Sequence, residues 1–469
     1  MPQSFQLRIH LAAAVLILLA GCATAPDPSP PPKVDLPNQW TDAAIASSAV
    51  APIGWLETFN APQLEALIAA AFEQNPTLQI AAARLDQAAA EFGITRADQL
   101  PSANLGLNAA RQRISTFGPQ STGGVRFDNY DLSLNLSWEL DLWGRLRQLS
   151  SARIAQFQAS AADLEAARLS LAAQVTKGYF NLIAARTQVE LAEATTQTFQ
   201  SNLNSLEERY QKGLSEGLEL RLQRRQTAQA QAERSQAQRQ LDQVAKSLER
   251  LIGRYPSGQA SQENAGSLPQ LLPFIPAGLP ADLLTRRPDL IAAERQLAAA
   301  DTTLAATRKD WLPRISLTAS GGTSSQEFNN LLDGDFSVWS LAGNLTQPIF
   351  QAGRIRASID RTAALRDQAI ANYVDTALQA FFEVETTLAA ESYLQSELTH
   401  LSTAAREAAQ AVQLAETRYQ RGTTEYIEYL NTQREAATIR SQFTATQNLL
   451  LQNRVDLYLA LGGPILSLP

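Results

Sequence analysis

The chain has almost none of the residues from which metal centres and many catalytic sites are built. Its 469 residues include one cysteine, Cys22, and two histidines, His10 and His400. A zinc site needs several Cys or His ligands close together, so a centre of that kind is nearly excluded. The chain also offers no evident pairing of a nucleophile with a histidine base. The sequence therefore predicts no enzymatic activity, no cofactor and no metal.

Charged residues are also scarce. They make up 18% of the chain, and 39 basic residues against 46 acidic ones give a net charge of −7. Binding to phosphate backbones requires concentrated Lys and Arg, so nucleic acid is not expected as a partner. Hydrophobic residues reach 45%, and Ala, Gln, Ser and Thr supply much of the remainder. This composition is typical of long helices that pack on one another.

Proline and glycine are missing from two long stretches. From Gly144 to Lys212 there is no proline and Gly178 is the only interior glycine, and from Gly353 to Arg421 there is neither. Roughly 67 helical residues at 1.5 Å each give a rod of about 100 Å. Glycine then follows each stretch and can adopt the left-handed conformation that ends a helix. Shorter helices are predicted to return from these turns, over 217–252 and 425–461.

Several motifs occur twice. TRADQLPSANL begins at Thr95 and TRKDWLPRISL at Thr307, while YQKGLSEGLEL begins at Tyr210 and YQRGTTEYIEYL at Tyr419. The separation is 212 residues for the first pair and 209 for the second, from the difference of those positions. Few insertions therefore separate two halves of one architecture. We expect repeat 1 over residues 62–270 and repeat 2 over 271–469, each with helix, two strands, a long helix and a shorter helix.

Alternating sequences follow the first helical segment of each half. In half one, NLGLNAARQRI leads into a polar stretch over 115–124, and Tyr130 to Leu142 then alternate, with apolar residues on one face: Leu132, Leu134, Leu136 and Trp138. RISLTASGG and FSVWSLAGNLTQPIF form the corresponding pair in half two. Strands of about ten residues suit a membrane-spanning hairpin, although half of a soluble sandwich has the same periodicity. Aromatic residues near the strand ends favour the membrane. Since the smallest membrane barrels have about eight strands, four strands require an oligomer.

The amino-terminal sequence predicts a lipoprotein signal. Residues 1–21 contain Arg8 and the apolar segment LAAAVLILLA, and LAGC ends at Cys22. A ten-residue apolar segment is too short for a transmembrane helix, which needs about 20 residues. We expect cleavage before Cys22 and lipidation of that residue. Residues 22–61 would then form a lipidated terminus and a Pro-rich spacer, and Ala23 favours the outer membrane of a Gram-negative cell.

These features together resemble one family. The lipobox, the segment WLETFNAPQLEALIAAAFEQNPTLQIAAARL and the paired YQ(K/R)G turns are similar to those of TolC-like outer membrane efflux factors, in the lipidated branch that serves resistance-nodulation-division pumps. The resemblance implies a mainly α protein with a pair of transmembrane β hairpins. It implies a homotrimer in which twelve strands close one barrel and helices form a tunnel across the periplasm. It also implies a periplasmic adaptor protein and an inner-membrane pump as partners, with small molecules leaving by this duct.

The resemblance further implies a periplasmic gate lined by acidic side chains shortly after the turn glycines. The matching positions are Glu219 and Glu428, each six residues beyond its glycine, and Asn431, where relatives can carry an acid. Tyr426 and Tyr429 flank Glu428 and are expected to pack against neighbouring helices. Both glutamates could instead be ordinary solvated residues on a helix surface.

The turns themselves are expected to dock the adaptor, with the likeliest contacts at Gly213, Leu214, Gly422 and Thr423. The simpler interpretation is that these residues only end helices. Two other functions stay open: a conduit for type I protein secretion, and a lipid-anchored periplasmic coiled-coil scaffold without a channel.

Overall fold

The computed structural model describes residues 40–41, 54–115, 124–262, 266–270, 280 and 283–463. The predicted signal segment and the predicted lipidation site, Cys22, lie outside the described residues. In the described part, the order of elements along the chain is helices, two strands and helices, and this order occurs twice. This order matches the duplication that the sequence predicts.

The α-helices, numbered along the chain, are α1 (Pro62–Gln74), α2 (Pro76–Ala97), α3 (Arg145–Gln211), α4 (Gly217–Ile252), α5 (Leu283–Arg286), α6 (Pro288–Arg308), α7 (Arg354–Gln420) and α8 (Tyr426–Ala460). Helices α3 and α7 have 67 residues each. The predicted rods are therefore confirmed, and so are the shorter helices that follow each turn. Short 3₁₀ helices lie at Trp55–Phe59, Gln259–Ser261, Lys309–Trp311, Phe328–Leu332 and Gly334–Phe336.

The strands are β1 (Ser102–Ser115), β2 (Gly124–Leu140), β3 (Arg314–Ser325) and β4 (Ser337–Thr346). They form one antiparallel sheet in the order β1-β2-β3-β4. The two hairpins are joined through β2 and β3, where Tyr130 lies opposite Ser325 and Leu140 opposite Ile315. The strand pairs of the two repeats thus share a single sheet.

The first hairpin is longer than the strands of about ten residues that the sequence predicts. β2 has 17 residues and starts at Gly124, well before Tyr130. The apolar alternation stops at Tyr130 because the next two positions on that face are Asp128 and Arg126, although the strand continues. In repeat 2, β4 ends at Thr346 because Pro348 follows closely and has no N–H for the ladder.

The break between α1 and α2 is built by Asn75. Its side-chain oxygen accepts hydrogen bonds from the backbone N–H groups of Thr77 at 2.8 Å and Leu78 at 3.1 Å, which caps the start of α2. Its side-chain nitrogen donates to the carbonyl of Leu251 at 2.7 Å. A Cβ at Gly253 would lie 2.4 Å from the carbonyl oxygen of Gln74, so the end of α4 can approach the break only with glycine there.

The chain divides into two compact units, and each contains parts of both repeats. The first comprises Met1–Lys33, Arg84–Ala161 and Ala292–Val374, and its described part holds the sheet with adjoining helix segments. The indole N–H of Trp138 donates to the carbonyl of Gln99 at 2.9 Å, and that of Trp143 to the carbonyl of Pro313 at 2.6 Å. The first bond ties the end of β2 to the segment before β1, and the second joins the segment after β2 to the segment before β3.

The second unit comprises Val34–Ala83, Ala162–Ile291 and Asp375–Pro469. Aromatic rings fill part of its core: Trp55 stacks on Tyr458 at 5.9 Å, and Phe59 meets Phe180 edge to face at 5.1 Å. Arg454 and Glu391 form a hydrogen-bonded ion pair in which both side chains are almost fully buried. Breaking such a pair by removing one partner is strongly destabilising, so this pair constrains how α7 and α8 pack.

Among the helices that the structure describes, none is both long enough and apolar enough to traverse a membrane.

Candidate functional site

The turn between α3 and α4 and the turn between α7 and α8 have the same geometry. Gly213 and Gly422 adopt φ of 73° and 72°. In each turn the glycine N–H bonds to the carbonyl three residues back, and the next N–H bonds to the carbonyl five residues back, at 2.9 to 3.0 Å. This is the Schellman arrangement, which ends a helix with a residue in the left-handed conformation. The predicted helix stops are thus present in both repeats.

The residues predicted to dock an adaptor are all exposed at these turns. Leu214 exposes 64% of its surface, and Leu218, one turn further along, exposes 66%. Gly213, Gly422 and Thr423 are exposed as well. The first turn therefore presents two well-exposed leucines, whereas the second has Thr423 in place of Leu214 and a less exposed Ile427, at 37%, in place of Leu218.

Three tyrosines pack together beside the second turn. The rings of Tyr419 and Tyr429 are stacked at 5.7 Å, and Tyr426 approaches Tyr419 at 5.2 Å. Tyr426 and Tyr429 also belong to a buried apolar cluster with residues of repeat 1: Phe199, Leu206 and Ala230. The cluster therefore joins α7 and α8 to α3 and α4.

Hydrogen bonds reinforce this contact between the repeats. The hydroxyl of Tyr426 donates to the side-chain oxygen of Gln223, whose nitrogen donates to the carbonyl of Phe199 at 2.6 Å. Gln433 is arranged similarly: its nitrogen donates to the hydroxyl of Tyr429 at 2.6 Å, and its oxygen accepts from Asn202 at 3.1 Å. Because these groups are largely buried, an unmade bond would leave a polar atom without water or a partner.

Arg209 adds a further link near the solvent. Its guanidinium donates to the hydroxyl of Tyr419 at 3.1 Å and lies 5.4 Å from the centre of that ring. Burial raises the pKa of Tyr419, Tyr426 and Tyr429 above the ordinary value of 10.0. All three hydroxyls are therefore protonated at neutral pH and are able to donate hydrogen bonds.

Glu219 lies near this tyrosine cluster. It is in the first turn of α4 and is half-buried. Burial is the main cause of the raised pKa of Tyr419 and Tyr426, and the negative charge of Glu219 makes a smaller contribution in the same direction. The carboxylate of one repeat is thus close to the aromatic residues of the other.

Glu428 occupies the equivalent position in repeat 2 but has different surroundings. It is exposed in the first turn of α8 and accepts a hydrogen bond from the hydroxyl of Thr424. A carboxylate at this place also interacts favourably with the amino-terminal end of the helix dipole. Asn431, three residues later, is exposed. The two repeats thus place equivalent acids in unequal environments.

The sequence interpretation missed the polar partners of the tyrosines. Gln223 had a recognisable signal, because it lies at helical spacing on the same buried face as Leu220, Thr227 and Ala230. A glutamine on such a face must find a hydrogen-bond partner. Arg209 had no comparable signal, since its partner is 210 residues away in the chain. Across the described ranges there is also no group of three or more His, Cys, Asp or Glu residues that could hold a metal ion.

The sequence model for the outer membrane efflux protein family matches residues 67–254 and 279–463. OprJ, an outer membrane protein of Pseudomonas aeruginosa, is 32% identical over 455 residues, covering 96% of this chain and 95% of OprJ. SrpC, a solvent efflux pump outer membrane protein of Pseudomonas putida, is 33% identical over 458 residues, covering 96% of each chain.

Solved structures have the same fold. The open state of the MtrE outer membrane channel of Neisseria gonorrhoeae superposes with a TM-score of 0.83 at 30% identity, covering 95% of this chain and 99% of MtrE. This chain belongs to the outer membrane efflux protein family. Its fold is that of the TolC-like outer membrane channels, it resides in the outer membrane and extends into the periplasm, and it is the outer membrane channel of an efflux pump. The family consists of channel proteins rather than enzymes.

Proposed function

We propose that three copies of this chain form a passive exit duct for small molecules across the periplasm and the outer membrane, and that the duct closes at the helix turns. The chain would receive its substrates from an inner-membrane pump of the resistance-nodulation-division class through a periplasmic adaptor, and it would carry out no chemical reaction. The main support for a gate at this position is the network of tyrosines and glutamines that holds α8 against α3 and α4 beside the turns.

Two unpartnered surfaces support the homotrimer. In the described part of the chain, β1 and β4 each have a neighbouring strand on one side only. On α7, Leu378, Phe382 and Tyr393 expose 56%, 62% and 76% of their surfaces. They are spaced by 4 and 11 residues and so share one face of the helix. Neighbouring copies would pair the strand edges and cover this face.

The gate would be opened by movement of α4 and α8 relative to α3 and α7. Packed helices shift past one another without unfolding when the contacts between them have two arrangements. The hydrogen bonds from Gln223 to the carbonyl of Phe199 and from Asn202 to Gln433 would have to break, because each joins a moving helix, α4 or α8, to α3. An adaptor could reach Gly213, Leu214, Gly422 and Thr423, since these residues are exposed at the turns. Its binding there would favour the open arrangement.

Glu219, Glu428 and Asn431 would line the entrance. In a trimer each side chain occurs three times around the axis, so the two glutamates supply six negative charges. Like charges in a narrow aqueous pore favour hydrated cations over anions. Asn431 would continue the polar lining without adding charge.

The test is ion selectivity in planar lipid bilayers. Replacing both glutamates, Glu219→Gln and Glu428→Gln, keeps the side-chain size and removes the charge. We expect the ratio of cation to anion permeability to fall by about threefold or more, because the local potential in such a pore is of the order of kT or larger.

The matched control is Glu65→Gln with Glu73→Gln, which removes two exposed carboxylates of α1, a helix that meets α4 at the end opposite to the turn. This pair should leave the permeability ratio close to that of the unchanged protein. If the gate pair has no larger effect than the control pair, the assignment of Glu219 and Glu428 to the pore is wrong.

The remaining proposals concern the anchor and the repeats. Cys22 would be lipidated after removal of residues 1–21, and residues 22–61 would link this anchor to the folded body. Repeats 62–270 and 271–469 would each contribute two strands to the barrel and a pair of turned-back helices to the tunnel. The matches of the family to 67–254 and 279–463 support this division.

A further inference from the structure

The hairpin of β1 and β2 extends past its neighbour. β2 pairs with β3 only from Tyr130 to Leu140, whereas its residues from Gly124 to Asn129 pair with β1 alone. The opposite ends of these strands connect to the helices α2 and α3. If those helices lie in the periplasm, the projecting end of the hairpin is on the outer side of the membrane.

One face of the hairpin is apolar over the length that a membrane requires. On β2 this face carries Tyr130, Leu132, Leu134, Leu136, Trp138 and Leu140. On β1, Leu105 and Leu107 lie opposite Leu134 and Leu132. Eleven residues span about 34 Å along a strand, or roughly 24 Å along the membrane normal at a 45° tilt. This matches the apolar band of about 25 Å found on outer membrane barrels. Leu105 and Leu107 expose 75% and 62% of their surfaces, as expected for a lipid-facing side.

Three arginines continue this face directly beyond the apolar band. Arg111 lies opposite Asp128, and Arg113 lies opposite Arg126. We refer to Arg111, Arg113 and Arg126 as the arginine trio. Their side chains are exposed and, by the alternation of the strands, point to the same side as Leu105 and Leu134. Tyr130 lies at the boundary, where aromatic residues mark the membrane interface.

The charges of the trio are poorly compensated within the chain. Arg111 forms an ion pair with Asp128 at 3.2 Å, and with 78% of the arginine side chain exposed this pair is weak. Arg113 and Arg126 are a direct cross-strand pair of like charges, an arrangement that destabilises a sheet unless an anion lies between them. The three arginines are the only charged residues from position 102 to position 127, so the hairpin itself supplies no further acid there.

Gly124 provides space for one member of the trio. A Cβ at this position would lie 2.5 Å from Nε and 3.0 Å from Cγ of Arg113. The Arg113 side chain therefore lies across the backbone of the partner strand and is held on the face that carries Arg126. A larger residue at position 124 would displace it.

The distribution of charge is specific to this hairpin. The whole chain has a net charge of −7, and the second hairpin has no Lys or Arg from position 315 to position 353. That region carries three acids instead: Glu327, Asp333 and Asp335. A positive cluster at one hairpin end is therefore not a consequence of the average composition.

We propose that the arginine trio binds the phosphate of a lipid headgroup in the outer leaflet of the outer membrane. Guanidinium groups bind phosphate oxygens through paired, charge-assisted hydrogen bonds, and one phosphate has enough oxygens to bridge Arg113 and Arg126. A lipid is the expected source because the trio is continuous with the apolar lipid-facing surface, where headgroups lie. The proposal rests on the proposed function, because it requires the sheet to span the outer membrane.

Native mass spectrometry of the full chain, extracted in mild detergent and supplied with bisphosphorylated lipid A, tests this proposal. Compared with the unchanged protein, the triple variant Arg111→Gln, Arg113→Gln, Arg126→Gln should bind lipid A about tenfold to 100-fold more weakly, given the usual contribution of each basic residue near an anionic membrane. The matched control replaces three exposed arginines of α4, Arg225→Gln, Arg234→Gln and Arg239→Gln, and should retain lipid A. Equal retention by the triple variant and the control would overturn the proposal.

A second measurement uses only the unchanged protein and does not depend on how the variants fold. Lipid A from which both phosphates have been removed should bind about as weakly as lipid A binds to the triple variant. Equal binding of the two lipids, or complete displacement by inorganic phosphate at the concentration of the lipid, would overturn a lipid phosphate as the ligand. Conductance of the unchanged protein in planar bilayers tests the channel itself, so failure of the channel and failure of the lipid site are distinguishable.

Discussion

At the level of single residues, the proposed closure of the duct at the helix turns depends on the buried hydroxyl of Tyr426, which donates to the side-chain oxygen of Gln223. The variant Tyr426→Phe leaves that oxygen buried without its donor, a loss of about 1 to 3 kcal/mol. Because the same Gln223 side chain also bonds α4 to the carbonyl of Phe199 on α3, loss of this donor weakens the closed arrangement. We expect the ratio of open time to closed time in planar bilayers to rise by about fivefold to 150-fold.

The control for this variant is Tyr255→Phe. Tyr255 exposes 85% of its surface, so its hydroxyl is free to bond to water and its loss should leave the open fraction unchanged. Burial raises the pKa of Tyr426 above the ordinary value of 10.0. The contribution of this neutral hydroxyl to the stability of the fold is therefore complete below pH 10.0, and it is lost as the pH rises from there through the higher folded pKa. Titration of Tyr426 therefore plays no part at neutral pH. An unchanged open fraction in Tyr426→Phe would show that this bond does not hold the tip.

At the level of elements, the two helix turns depend on glycine for conformational reasons alone. Gly422 has φ of 72°, and a Cβ at this position would meet no atom within 4 Å. The variant Gly422→Ala therefore adds no clash but places an L-residue in the left-handed region, at a cost of roughly 1 kcal/mol. Hydrogen exchange measured by mass spectrometry should become several-fold faster in the peptide around Gly422.

Gly93 supplies the matched control in the interior of α2. A Cβ there also meets no atom within 4 Å, but the backbone is helical. Gly93→Ala should therefore slow exchange in its own segment, because alanine stabilises a helix interior by about 0.5 to 1 kcal/mol over glycine. Effects of the same sign at both positions would contradict the conformational explanation.

The elements were more predictable than the contacts between them. The absence of proline and near absence of glycine predict α3 and α7 well, since every residue of an unbroken helix must be compatible with helical backbone. The start of β2 was predicted less well, because Arg126 and Asp128 are polar on an otherwise apolar face. Contacts such as that of Arg209 with Tyr419 join positions 210 residues apart, and no local periodicity encodes such a pair.

At the level of the whole molecule, duplication makes the two halves alike in order but not in chemistry. Equivalent acids occupy different surroundings, since Glu219 is half-buried beside tyrosines whereas Glu428 is exposed. The hairpin ends carry opposite charges, with the arginine trio in one repeat and three acids in the other. The sequence reveals the duplication through its spacing. The divergence becomes interpretable only when register and burial show which side chains share a face.

Assembly provides the last prediction, and it follows from the number of strands. The described residues of one chain form four strands in an open sheet, whereas the smallest closed membrane barrels have about eight strands. We expect the native mass of the protein in mild detergent to be that of three chains, because twelve strands then close one barrel. The variant Cys22→Ser should give the same trimer without the attached lipid, since the strand edges and not the anchor join the copies. A stable monomer would leave both edges of the sheet unpaired within the membrane, where backbone groups have no water to bond, and would contradict the shared barrel.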